Sequence, residues 1–371
     1  MRVPILDLKS QYINMKEEIN ESIIEVLEKC QFILGPQVKK IEENISKLCN
    51  VKFGIGVANG TDALELTLKA LNIGAGDEVI TTPFTFFASA EVIAKLGAVP
   101  VFVDIERGTY LIDADRIEEK ITKNTKAIIP VHLFGQACNM KRIMDIAKKY
   151  NLHVVEDSCQ AIGSEFEGKK VSSFGDAGCF SFFPTKNLGG YGDGGMIVTD
   201  DESLNENIRL LRQHGSNVKY HHSIIGYNSR LDEIQAAILN VKSKYLSDWN
   251  QKRRNHAYRY NKYLADIVKT PEEAKDYKQY HVYHQYTIEV EKRDELAKFL
   301  KDNEIGTSVY YPVPLHLQEA FKELGYKNGD MPNAEEACNK VISLPISPEM
   351  TIEEQDYVIE KVREFSNKCK M

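Results

Sequence analysis

The chain has no stretch approaching the roughly 18 apolar residues of a membrane span. Its start, MRVPILDLKSQYINMKEE, lacks the apolar core of a secretory leader. Excess positive charge is also missing. With 47 Lys and Arg against 54 Asp and Glu, the net charge is −7, so no basic field invites nucleic acid or anionic lipid. Cysteine is not organised. Cys30, Cys49, Cys138, Cys159, Cys179, Cys338 and Cys369 are odd in number and scattered, with no C-x-x-C and no zinc-like spacing to histidine. Reduced thiols, a cytoplasmic setting and no bound metal are expected. Internal repeats and low-complexity tracts are absent too, which excludes solenoids and linkers.

What is present is alternation. FGIGVAN precedes the helical TDALELTLKALNIG, EVITT precedes TFFASAEVIAKLG, VPVFVDI precedes DADRIEEKI, and KAIIPVHLF precedes NMKRIMDIAKKYN. HVVEDS closes a further strand, and CFSFF and MIVTD read as two more. Strand and helix at this rhythm imply βαβ units and a mostly parallel sheet covered on both faces. Ile19, Ile23, Val26, Leu27 and Cys30 recur at helical spacing near the start. Ser229-Arg-Leu-Asp232 fits a capping box opening a long helix, and the basic run Lys252-Arg253-Arg254 fits a solvated helix face. Beyond Pro271 a smaller α/β unit is expected: strand YHQYTIEV, helix RDELAKFLKDNE, strand TSVYY and a closing helix. The division is a large domain over 1–245 and a small C-terminal one over 246–371.

Ligands in open α/β sheets bind beyond the carboxyl ends of the strands. Polar residues following apolar runs are therefore the candidates. Gly60 and Thr61 begin a helix after GIGVA, where free N–H groups and a hydroxyl can seat a phosphate or simply cap the helix. Asp157 ends an apolar strand, where a carboxylate needs a cationic partner or a structural hydrogen-bonding role. Ser181 and Lys186 lie in SFFPTKNLGGYGDGG, in which the lysine is either a surface cation or a desolvated amine nucleophile. One cofactor requires all three places. Pyridoxal 5'-phosphate needs a Schiff-base lysine, a carboxylate at its ring nitrogen, an anion seat and an aromatic cover, for which Phe86 is placed. Two other motifs fail their context. Gly190–Gly195 matches G-x-G-x-x-G but leads into a strand, and Gly163–Lys170 resembles a P-loop with lysine where a hydroxyl belongs.

Eight motifs in order resemble the DegT/DnrJ/EryC1/StrS sugar aminotransferases: ANGTDAL, DEVITTPFTFFASA, GAVPVFVDI, IIPVHLFGQ, VVEDSCQAIG, FSFFPTKNLGGYGDGG, GYNSRLDEIQAAIL and YYPVPLHLQ. The resemblance implies an aspartate-aminotransferase-like α/β fold of fold type I. It implies Lys186 as Schiff-base lysine and proton carrier, with Asp157 at the pyridinium nitrogen and Gln160 at the ring hydroxyl. Gly60, Thr61 and Ser181 would hold the phosphate, Phe86 would stack on the ring, and Asn228 would reach the neighbouring subunit's cofactor in a homodimer. Arg230, Tyr311 and His316 are candidates for substrate contact. Arg230 has a second reading as the structural ion-pair partner of Asp232 or Glu233. Nitrogen would pass from an amino donor, L-glutamate by resemblance, through pyridoxamine 5'-phosphate to a nucleotide-linked keto-hexose. RQHGSNVKYHHSIIGYNSRLD and VYHQYTIEV lean toward amination at C3. The alternatives are C4 amination of a 4-keto-6-deoxy sugar, a keto-cyclitol acceptor, and a non-catalytic regulatory role. Family members with histidine in place of the lysine dehydrate, which Lys186 argues against.

Overall fold

A computed structural model describes residues 1–369. The strands are β1 (Phe53–Val57), β2 (Glu78–Thr81), β3 (Val99–Phe102), β4 (Thr125–Ile128), β5 (His153–Asp157), β6 (Glu165–Phe166), β7 (Lys169–Lys170), β8 (Ala177–Ser181), β9 (Gly195–Thr199), β10 (Gln279–Tyr280), β11 (Tyr286–Glu289) and β12 (Val341–Leu344). Seven of them form one sheet in the order β1-β9-β8-β5-β4-β2-β3. Only β9 runs against the rest. The carboxyl ends of β1, β8, β5, β4 and β2 therefore share one edge, and the first residue of β9 joins them there.

Alternating side chains feed two cores, as a pleated strand buried on both faces requires. Cys179 and Ile197 pack with Ile55, Val57, Leu64 and Leu68. Their neighbours Phe180, Met196 and Val198 pack on the opposite face with Val38, Ile41, Ile45 and Leu239. A further core gathers Tyr260, Tyr286, Ile288, Leu296, Ile342, Val358 and Phe365 around the β11–β12 pair. The helix Leu246–Leu264 bridges these regions, with Leu246 in a large-sheet core and Tyr260 in the last one. The later part of the chain also returns to the large sheet, since Leu315, Phe321, Ala334 and Val341 pack with residues of β2, β3 and β4.

Three sequence expectations give way to tertiary partners. The run TSVYY is extended but holds a single bridge, Ser308 to Ser343. β11 pairs instead with β12, a fully buried VISL run, and Pro312 and Pro314 deny the other segment the N–H groups a ladder needs. The capping box is not formed. The helix Glu233–Ser243 starts at Asp232 with no side-chain cap. Ser229 Oγ instead accepts from Ala58 N at 3.1 Å. Arg253 is not solvated either. It is 3% exposed and donates through Nη1 to the carbonyls of Tyr283, His284 and Ile346. Six cysteines are free thiols, and the side chain of Cys369 lies outside the described ones.

Candidate active site

β1 ends at Val57 and the chain turns through Asn59 into the helix Gly60–Ala70. Asn59 caps it, its side chain accepting from Asp62 N at 2.8 Å. The N–H groups of the first turn thus face the sheet edge where the helix dipole favours an anion. Across the sheet Val57, Gly195 and Ser181 sit in register. Gly60 has no room for a side chain: a Cβ there would stand 2.8 Å from Ser181 Cβ and 2.9 Å from Cys159 Sγ. Gly195 is as tightly placed, its Cβ position lying 2.3 Å from Asn59 O. These two glycines let the turn, β8 and β9 close on one another, so Gly60, Thr61 and Ser181 form a single polar cradle.

Asp157 ends β5 one strand further along and is 5% exposed. Ser89 Oγ donates to its Oδ2 at 2.8 Å and Cys159 N to its Oδ1 at 3.2 Å. Both bonds hold the carboxylate in place while leaving lone pairs for another donor. The adjacent Glu156 points to the other face. It pairs with His132 at 3.0 Å and accepts from the backbone of Ser172, Phe174 and Gly175, a structural role. Gln160 Oε1 accepts from Phe134 N at 2.7 Å, and its Nε2 donates to Tyr311 OH at 3.0 Å. Tyr311 packs against Phe84 and Phe86 at 6.2 and 6.4 Å. Phe86 is 58% exposed, an aromatic face left open at the mouth of the site.

Lys186 follows β8 in the turn that Ser181 begins. Burial pushes its pKa down, while Cys159 and Asp157 push it back up. The lysine is thus favoured as a neutral amine by desolvation. Its acidic neighbours oppose that effect. Burial first, then Asp157, raises the Cys159 thiol well above its ordinary value, and Lys186 opposes this.

The remaining candidates stand apart. Asn228 is exposed, and its side chain has no hydrogen bond among the described residues. Arg230 forms no ion pair among the described residues. Glu233 is occupied elsewhere, accepting from Gly35, Gln37 and Val38 N at the start of the helix Pro36–Cys49. His316 is buried, with Nε2 3.0 Å from Glu335 Oε1, in a turn tied to the segment before Phe86 by Leu315 N donating to Pro83 O. That geometry makes it a tether. Ser89 and the Phe134 and Tyr311 contacts to Gln160 were not singled out for these roles, because each is a pairing between distant segments. A cavity of about 700 Å³ lined by Lys40, Asn44, Lys170, Lys244, Asn250 and Tyr280 contains none of the site residues. The amine, the carboxylate and the anion seat stand instead at the open sheet edge.

That constellation has counterparts. Residues 13–363 match the DegT/DnrJ/EryC1/StrS aminotransferase family. The chain belongs to this family. It is a pyridoxal-phosphate-dependent sugar aminotransferase with the α/β fold expected of it. It is 53% identical to a protein of Geobacillus stearothermophilus named pleiotropic regulatory protein, over 98% of this chain and 99% of that one. It is 45% identical to the UDP-N-acetyl-3-dehydro-alpha-D-glucosamine 3-aminotransferase of Acidithiobacillus ferrooxidans, over 95% of each. The crystal structure of S. venezuelae DesV in complex with a ketimine intermediate superposes with a TM-score of 0.95 at 39% identity, covering 98% of each chain. That of ntda from Bacillus subtilis with bound cofactor PMP superposes at 0.90 and 35% identity, covering 99% of this chain and 85% of that one. The cradle of Gly60, Thr61 and Ser181, the anchored Asp157 and the desolvated Lys186 fit that cofactor's phosphate, ring nitrogen and aldehyde in turn. No helix among the described residues is long and apolar enough to cross a membrane.

Proposed function

We propose that this aminotransferase moves nitrogen from L-glutamate to C3 of a nucleotide-linked keto-hexose in the cytoplasm, with sites shared between two copies of the chain. The juxtaposition of Lys186, Asp157 and the Gly60–Ser181 cradle at one sheet edge carries the reading. When bound, pyridoxal phosphate supplies an electron sink for the carbon that loses its proton. Lys186 would be the reacting amine, and its Nζ would hold and move the proton in both halves. Asp157, braced by Ser89 and Cys159 N, keeps a negative charge at the ring nitrogen. Gly60, Thr61 and Ser181 bind the phosphate, Phe86 covers the ring, and Gln160 orients its hydroxyl. Residues 1–245 supply this floor, while Tyr311 reaches it from the region 246–371.

The nucleotide-sugar acceptor is supported by the 3-aminotransferase named above, and unpaired Arg230 is available to an anionic substituent on the substrate. Two copies are supported by apolar side chains left open between Gly215 and Asn228: Val218 at 63%, Tyr220 at 81% and Ile225 at 91% exposure. A second chain covering them would bring Asn228 to its neighbour's phosphate.

The test is to incubate the enzyme with glutamate and paired 3-keto and 4-keto nucleotide sugars, then locate the new amine by NMR. Amination only at C4, or none with either sugar, would reject the C3 assignment. Asn228→Asp places a carboxylate beside a phosphate and should weaken cofactor retention by about ten-fold, read by dialysis and absorbance. Unchanged retention would remove Asn228 from the shared site.

A further inference from the structure

Lys186 is flanked by two residues that lead away from the cofactor cradle. Thr185 lines a small cavity of about 60 Å³ together with Arg253, His284, Gln285 and Tyr310. Asn187, on the other side, is 4% exposed and joins a hydrogen-bonded series whose direction two carbonyls determine. Asn250 Nδ2 donates to Ile162 O at 3.0 Å, so its Oδ1 faces Asn187. Asn187 Nδ2 donates to that Oδ1 at 2.9 Å and to Val282 O at 3.3 Å. The remaining Asn187 Oδ1 is an acceptor, and it lies 3.0 Å from His284 Nδ1. His284 must therefore carry its proton on Nδ1, which leaves Nε2 a bare acceptor.

Two other residues lining the cavity carry unsatisfied groups. Arg253 is 3% exposed, has no carboxylate partner among the described residues, and its Nε–H is buried without an acceptor. Gln285 Oε1 is buried without a donor. One donor and two acceptors suit a water, which can accept from Arg253 and donate to His284 Nε2 and Gln285 Oε1. They do not suit a carboxylate or halide, which brings only acceptors. The cavity is large enough to hold a water.

We propose that His284 is a positioning residue for Lys186, acting through Asn187, and that the cavity it faces is a built water site shared with Arg253 and Gln285. The inference rests on Lys186 being the reacting amine. Burial, with Lys186 and Arg253 adding to it, holds the imidazole uncharged, so it sets the geometry of the lysine turn without titrating against the amine.

Two measurements on cofactor-free protein decide it. Nitrogen NMR of histidine-labelled protein should assign the unprotonated nitrogen of His284 to Nε2. Stopped-flow absorbance with borohydride trapping should show capture of added pyridoxal phosphate by Lys186 slowed about ten-fold in His284→Ala and in Asn187→Ala. The double variant should be no slower than either single one, and His284→Gln, which keeps an N–H for Asn187, should recover part of the loss. A proton on Nε2, unchanged capture in the single variants, or additive losses would overturn the proposal. If His284→Ala does not fold, capture by His284→Gln and Asn187→Ala still decides. Failure of the unaltered protein to trap any adduct would instead reject Lys186 as the reacting amine.

Discussion

Lys186→Ala is expected to fold, to bind pyridoxal phosphate without a borohydride-trappable adduct, and to lose activity to background. Two functions vanish with the side chain. On the proposed reading, the amine that would hold the cofactor is gone, and so is the group that would carry the proton, a contribution of roughly 10²–10⁴-fold by itself. Stability should move the other way. Because burial lowers the native pKa of Lys186 below that of the unfolded chain, the unfolded state binds its proton more tightly. The lysine therefore costs stability at pH values below its native pKa, and the cost fades as pH rises toward the unfolded value. Removing it should leave the melting temperature of cofactor-free protein unchanged or raised at neutral pH, with the difference shrinking in alkali. Calorimetry across pH checks the sign. A melting temperature lowered at neutral pH would show that the side chain packs more than its charge costs, and retained activity would end the assignment.

Asp157→Asn should be nearly as damaging while changing almost no volume. The native carboxylate accepts from Ser89 Oγ and Cys159 N, and an asparagine carbonyl oxygen can keep only one of these arrangements intact. More important, its amide presents a donor or a neutral acceptor where a fixed negative charge stood. Electrostatic groups aimed at developing charge are worth about 10²–10³-fold each when removed from water-poor sites. A loss of that order in kcat is expected, with a smaller change in KM for the sugar. The bound cofactor's visible absorbance should also shift toward the form lacking a ring-nitrogen proton. Activity within a few-fold of the unaltered enzyme would mean that Asp157 is a structural carboxylate, as its bonds to Ser89 and Cys159 would by themselves allow.

The two variants separate the site's parts because their side chains come from different strands. Lys186 follows β8 and Asp157 ends β5, and because these strands pair directly, with Asp157 beside Cys179, the fold of each variant is checked by circular dichroism. A loss in both variants with an intact fold therefore reads as chemistry.

Much of this was legible from local patterns. Strand and helix periodicity depends on neighbours a few residues apart, so the βαβ order could be read along the chain. The location of Asp157, Ser181 and Gly60 after apolar runs followed from the same rule. What failed were features that a distant segment decides. Ser229 and Asp232 have the composition of a capping box, yet Ala58 N claims the serine hydroxyl. Arg253 sits in a basic run, yet three carbonyls of other segments bury it. TSVYY has strand composition, yet β12 takes the place beside β11.

The sequence by itself determined the order of strands and helices and which polar residues follow the apolar runs, because residue type and hydrophobic period are local properties. Only the tertiary structure decided how those residues are held. Ser89 reaches Asp157 across 68 positions, Tyr311 reaches Gln160 across 151, and His284 reaches Asn187 across 97. The direction of each hydrogen bond depends on partners far apart in the chain, which meet only when the fold brings their segments together.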